Sequence, residues 1–167
     1  MKYIIKHTFE TSPEQFWGRV FFDSDYNREL YCNHLDADYE ELEIVRKQDG
    51  SVRRSIRVQP RMALPAILKR FFGNKVAYTE TGEYDAASGH FVATVQPTVA
   101  ADKLVTRLDV WTEQRSERQL ERFIEVENHV HILGVGGMIE STLAKQTREA
   151  NEVIAAFTAE WIARTLA

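Results

Sequence analysis

Arg54, Glu80, Arg122 and Asn128 each stand where the alternation of neighbouring residues calls for an apolar side chain. One strand pattern points Val52, Arg54, Ile56 and Val58 to the same side. Another does so for Val76, Tyr78, Glu80 and Tyr84, and a third for Leu120, Arg122, Ile124, Val126, Asn128 and Val130. His7 has the same setting among Tyr3, Ile5 and Phe9. A charge on an apolar face must be paired, reach water, or meet a ligand, because an isolated buried ion is costly. The functional reading is that these groups orient the polar head of an otherwise apolar ligand. The plainer reading, a structural ion pair or a side chain that snorkels to the sheet edge, is preferred.

Other chemistries find less support. His129 and His131 share a strand face with Glu125 and Glu127, suitable metal ligands in type, but no third element supplies partners, and a solvated surface is the simpler account. No metal is expected. Gly134-Val135-Gly136-Gly137 precedes a helix without the lysine of a phosphate loop or the spacing of a dinucleotide fingerprint. There is no Gly-x-Ser-x-Gly elbow, and Cys32 has His34 near it only in sequence. These patterns suggest neither a cofactor nor a catalytic constellation.

The elements that must position these residues follow from periodicity. From Gly134 to Leu166 the apolar residues Ile139, Leu143, Ala150, Val153, Ile154, Phe157 and Trp161 recur at helical steps without a proline, which predicts one amphipathic helix of about 45 Å. Its apolar stripe requires a broad partner, and the remaining sequence supplies strands. Strand one spans 2–9. Thr11-Ser12-Pro13-Glu14-Gln15 then announces a helix with Phe16, Trp17, Val20 and Phe21 on its buried side, and Asp23-Ser24-Asp25 caps a second one running to about His34. Six strands follow, at 38–47, 52–59, 76–85, 90–96, 104–113 and 120–131. Turns at Gln48-Asp49-Gly50-Ser51 and Ala86-Ala87-Ser88-Gly89 set an antiparallel meander. The class is α+β.

The chain of 167 residues, 44% hydrophobic and 28% charged, is expected to form a single domain over 1–167. The first residues lack the apolar core of a signal peptide and no run is long enough for a bilayer, so the cytoplasm is expected. A lone cysteine excludes an internal disulfide, and a net charge of -4 argues against a general nucleic-acid binder.

One segment interrupts the meander. Arg61 to Lys75 carries Met62, Leu64, Ile67, Leu68, Phe71 and Phe72 beside Arg61, Lys69, Arg70 and Lys75, with no acid before Glu80. A mobile lid over a ligand cavity would be apolar beneath, and a membrane-facing one gains from basic residues that meet anionic head groups. An ordinary amphipathic connector across the end of the sheet accounts for it equally well.

The order of elements resembles the START-like, or SRPBCC, helix-grip superfamily: one strand, two short helices, six more strands of a curved antiparallel sheet, and a long C-terminal helix across it. The local matches are Gly137-Met138-Ile139-Glu140, Leu64-Pro65 and Tyr78-Thr79-Glu80, which look like an uncharacterised bacterial branch. The resemblance implies a cavity between the helix and the concave face, used in most members for a lipid, sterol, quinone or polyketide. Its lining would include His7, Arg54, Tyr78, Glu80, Tyr84, Arg122 and Asn128 of the sheet and Ile139, Leu143 and Phe157 of the helix. The leading expectation is therefore a non-catalytic binding or transfer protein for a hydrophobic small molecule, with the 61–75 segment as gate and a transient contact with membranes. A polyketide cyclase or aromatase using the same cavity is the alternative, with Arg54, Glu80, Tyr78 or His7 as acid, base or oxyanion partner. A third is a protein-interaction module presenting the acidic 36–43 stretch.

Overall fold

The computed structural model describes residues 1–166. Seven strands form: β1 (Lys2–Phe9), β2 (Ala37–Arg46), β3 (Val52–Pro60), β4 (Tyr78–Asp85), β5 (His90–Pro97), β6 (Leu104–Ser116) and β7 (Gln119–Val130). They make one antiparallel sheet in the order β1-β7-β6-β5-β4-β3-β2, so consecutive strands from β2 to β7 are neighbours and β1 closes the β7 edge. Side-chain alternation holds throughout: Ile5 lies opposite Ile124, His7 opposite Arg122 and Arg54 opposite Gly82, all on the concave face. A bulge between Glu41 and Glu43 in β2 inserts Leu42, which is exposed, and restores Ile44 to the inner side.

The two short helices after β1 are each half α and half π. Helix α1 (Pro13–Phe16) is capped by Ser12 Oγ, which accepts from the Gln15 N–H at 3.2 Å, and continues as a π turn over Trp17–Phe21. Helix α2 (Ser24–Glu29) is capped by Asp23, which accepts from the Tyr26 N–H at 2.8 Å, and continues as a π turn over Leu30–His34. The wider π turn changes which aromatic residues point inward: Phe22 is buried and Phe21 only half-buried, although the helical repeat expected Phe21 to lead.

Helix α3 (Ala66–Phe72) lies within the basic segment, and α4 (Gly136–Thr165) is the long C-terminal helix of 30 residues. Gly134, at φ +83°, takes the left-handed conformation that turns the chain out of β7, and α4 therefore begins two residues later than the periodicity suggests. Its buried side is Ile139, Ala144, Asn151, Phe157, Thr158, Trp161 and Ile162, while Val153 faces solvent. None of the described helices is long and apolar enough to cross a membrane.

The apolar core is divided between the two ends of α4. The C-terminal half packs Phe157, Trp161 and Ile162 with Phe9, Phe16, Trp17, Tyr26 and Leu120. Trp161 Nε1 donates to the Arg19 carbonyl at 3.2 Å, fixing this half to the first π turn. The N-terminal half packs Ile139 with Leu68 and Phe72 of α3. Gly82 makes room in the first cluster: a Cβ there would stand 2.5 Å from Phe91 Cζ.

Candidate functional site

The interval between the two clusters differs from both. Along β6, Leu104 belongs to the α3 end and Leu108 to the other; along α4, Leu143 and Ile154 are divided in the same way. These four residues and Ile124 of β7 face inward yet remain only half-buried, so the helix does not seal the concave face between the clusters. The residues in between are polar. Thr106 Oγ1 donates to Asn128 Oδ1 at 2.7 Å across β6 and β7, and Asn151 Nδ2 of α4 donates to the Thr147 carbonyl at 2.9 Å.

Among the described residues, five buried side-chain atoms have no hydrogen-bond partner: Tyr3 Oη, Tyr39 Oη, Arg54 Nε, Arg122 Nε and Asn128 Nδ2. All five belong to residues whose register places them on the concave face, opposite Val126, Val58, Gly82, His7 and Thr106 respectively. Buried polar groups are normally satisfied, and each orphan costs roughly 1–3 kcal/mol.

Two arginines dominate the charge of this face. Arg54 of β3 is 3% exposed and Glu80 of β4 is 7% exposed. Arg54 Nη2 donates to Glu80 Oε1 at 2.6 Å, and its Nη1 to the Phe21 carbonyl at 3.0 Å. The guanidinium sits among the rings of Phe21, Phe22 and Phe91, at 4.7, 5.5 and 5.3 Å from their centroids. Burial alone would lower its pKa; the Glu80 charge, with Tyr31, outweighs burial and raises it. Burial also raises Tyr31 and Tyr78, and pushes Tyr39 up to about 12, so the phenols around this ion pair stay neutral.

Arg122 of β7 is 4% exposed and, among the described residues, forms no ion pair with a carboxylate. Its Nη2 donates to His7 Nδ1 at 3.0 Å, and it lies 5.1 Å from the centroid of Phe9. Burial pushes its pKa down to about 10 despite the opposing pull of Tyr26 and Glu152. His7 is fixed from both sides: since Nδ1 accepts from the arginine, Nε2 carries the hydrogen and donates to Glu152 Oε1 of α4 at 3.0 Å. Nearby, Tyr26 Oη donates to Thr158 Oγ1 at 2.7 Å, because that hydroxyl gives its own hydrogen to the Ile154 carbonyl.

The residues singled out from sequence therefore fall into groups. Arg54, Glu80 and Tyr78 gather on the β3–β4 side, and His7 with Arg122 on the β1–β7 side. Asn128 lies in the middle with Thr106, Ile139 and Leu143 at the α3 end, and Phe157 in the aromatic cluster. Tyr84 stands apart, packed on Trp17 at a ring separation of 4.5 Å. It also lines an open cleft of about 720 Å³ with Trp17, His90 and Trp111, between α1 and the β2–β3 and β4–β5 turns. That cleft takes in none of the other expected residues and none of the five orphaned atoms.

In the basic segment, Leu68 and Phe72 are buried, Leu64, Ile67 and Phe71 half-buried, and Met62 alone of the six is exposed. Arg61 is engaged with Asp36 and Asp38 at 3.3 and 3.0 Å. On the outer face of β7, His129 meets Glu127 at 3.3 Å, and no group of three or more potential metal ligands is assembled among the described residues.

Sequence periodicity did not single out Tyr39, Thr106, Asn151 or Glu152. Asn151 had a signal, since it interrupts an otherwise apolar helix stripe. Glu152 had none: it belongs by spacing to the solvated side, and only the crossing of α4 over β1 brings it to His7.

The family model described as a protein of unknown function (DUF2505) matches residues 5–162. The chain belongs to the DUF2505 family. No curated protein matches its sequence. Among solved structures, this DUF2505 chain is similar to the Zhui aromatase/cyclase from Streptomyces sp. R1128, with a TM-score of 0.70 and 11% identity over 100% of this chain and 97% of that one. The protein TTHA0849 from Thermus thermophilus gives 0.67 and 13% over 100% of both chains. A START superfamily protein from Mycobacterium smegmatis gives 0.59 and 10% over 95% and 97%. At such identities the shared property is the helix-grip fold.

Proposed function

We propose that this protein binds an apolar small molecule carrying polar groups, held between α4 and the concave face of the sheet. One observation carries the reading: among the described residues the unpartnered buried polar atoms all belong to side chains on that face, and three of them, those of Tyr3, Arg122 and Asn128, lie on β1 and β7 beside the interval where Leu108 and Ile124 are left half-buried. A ligand lying there would cover Leu108, Ile124 and Ile154 and supply the missing hydrogen bonds. Helix α3 is suited to act as the gate, since Leu68 and Phe72 close the N-terminal end of α4 and could part from Ile139 without unfolding the aromatic cluster. A contact of this segment with membranes would rest on Lys69, Arg70 and Lys75, which carry no aspartate or glutamate within their own segment.

The test is native mass spectrometry of the purified protein, followed by organic extraction. A co-purifying apolar molecule, released on unfolding and present at near-stoichiometric amount, is the expected result. A protein that arrives empty and retains no lipid, sterol, quinone or polyketide offered to it contradicts the reading.

A second reading, a cyclase or aromatase acting in the same place, is favoured by His7. Its imidazole is held by Glu152 at Nε2 and would act as a base at Nδ1 once substrate displaces Arg122 from that nitrogen. Glu80 is less suited, being committed to Arg54. Turnover of a polyketide-like substrate that disappears in His7→Phe while binding persists would establish this reading; binding without turnover leaves the first.

A further inference from the structure

The two buried arginines of the concave face are not equivalent, and the difference specifies the chemistry of the ligand. Arg54 brings its own counter-ion in Glu80, its own backbone acceptor in Phe21, and three aromatic rings around the guanidinium. Arg122 is buried to the same degree and has one neutral acceptor, His7 Nδ1. Its Nε has no partner among the described residues. The one carboxylate linked to it, that of Glu152, is reached through the imidazole and is largely in solvent, 76% exposed. A buried guanidinium without a counter-ion is costly, and its planar fork matches a bidentate anion.

Two further features set the vacant donor near the unsealed interval. Arg122 is two residues along β7 from Ile124, which is half-buried at the edge of the unsealed interval. Farther along the same strand face, Asn128 presents a second unpartnered donor, Nδ2, at the end of an apolar floor formed by Ile124 and Val126.

We infer that Arg122 anchors an anionic group, a carboxylate or an enolate, on a ligand whose apolar body lies along β7 toward Asn128. This rests on the binding reading above and narrows it from apolar molecules in general to amphiphilic acids. Arg54 is structural and takes no part in ligand charge recognition. His7 keeps the guanidinium oriented by accepting one of its hydrogens, and Glu152 fixes the imidazole tautomer that makes this acceptance possible.

The test is competition against the neutral fluorophore N-phenyl-1-naphthylamine, using dodecanoate and dodecan-1-ol at pH 8, with wild type, Arg122→Met and Arg122→Lys. The expected result is that dodecanoate displaces the fluorophore at a concentration about tenfold or more below that of the alcohol. The preference should vanish in Arg122→Met through weaker dodecanoate binding alone, and survive in part in Arg122→Lys. Circular dichroism and thermal unfolding confirm that each variant is folded. Equal displacement by acid and alcohol in wild type, or a preference that persists in Arg122→Met, overturns the inference while leaving the binding reading in place. Failure of the fluorophore and both competitors to bind removes the binding reading, and the inference with it.

Discussion

Arg54 and Arg122 lie on the same face of one sheet, equally buried, and they solve the problem of a buried charge in opposite ways. Arg54 is answered within the protein by Glu80, the Phe21 carbonyl and the rings of Phe21, Phe22 and Phe91. Arg122 is answered by a neutral imidazole and the ring of Phe9, with no counter-ion in contact among the described residues. The first arrangement belongs to the architecture, since it ties β3 to β4 and to the first π turn. The second is retained at a cost to stability, which is the pattern expected of a group kept for binding.

Breaking the Arg54 side should produce the largest effect. Arg54→Met strands Glu80 in an apolar setting and should cost about 3–5 kcal/mol in urea unfolding, whereas the double variant Arg54→Met with Glu80→Leu should recover most of that loss. A double variant as unstable as the single one would mean that the pair matters for its packing rather than its charge. Gly82→Ala attacks the same region sterically. Its new methyl would meet the Phe91 ring, and a loss of about 1–3 kcal/mol is expected from the same unfolding measurement.

Removing Arg122 should do the reverse. Arg122→Met deletes an unpaired buried charge and should raise unfolding stability by about 1–2 kcal/mol near neutral pH. The pH dependence has a definite sign. Below pH 10 both the native and the unfolded chain carry the Arg122 proton, and the cost of burying the charge is present in full. Above about pH 10 the native form sheds that proton while the unfolded form keeps it, so the cost declines as pH rises. The stability gap between wild type and Arg122→Met should therefore narrow from about pH 10 upward. Tyr31, Tyr39 and Tyr78 do not obscure this: burial raises Tyr39 to about 12 and also raises Tyr31 and Tyr78, so both proteins lose stability alike as these phenols ionise in the unfolded chain, whereas Tyr26, raised by burial and held down by Arg122, rises further in the variant and adds to the narrowing. The smallest effect belongs to Glu152→Gln. Its carboxylate is mostly in solvent, so unfolding should change by no more than about 0.5 kcal/mol, while the Nε2 chemical shift of His7 should report the weaker hydrogen bond to the amide.

Much of this contrast could be anticipated from sequence and part of it could not. Alternation in 52–58, 76–84 and 120–130 placed Arg54, Glu80, Arg122 and Asn128 on the inner face, because a strand allows only two directions for a side chain. It could not tell which arginine Glu80 would meet. That depends on β3 and β4 being neighbours with Arg54 opposite Gly82, a matter of register between strands. The helical repeat located α4 and its stripe but favoured the apolar Val153 over Asn151, since hydrophobicity alone does not count polar residues that hydrogen-bond to their own helix. The π turns that draw Phe22 inward have no composition of their own, and Glu152 finds His7 only through the angle at which a helix crosses a strand.

The most direct test of the account is an amide NMR titration of the wild-type protein with N-phenyl-1-naphthylamine. Shifts centred on Thr106, Leu108, Ile124 and Asn128 of the sheet and on Thr147 to Ile154 of α4, where the core stays open and donors are unpaired, are the expected result. Shifts confined to Trp17, His90 and Trp111 around the outer cleft, with the concave face unmoved, would contradict it.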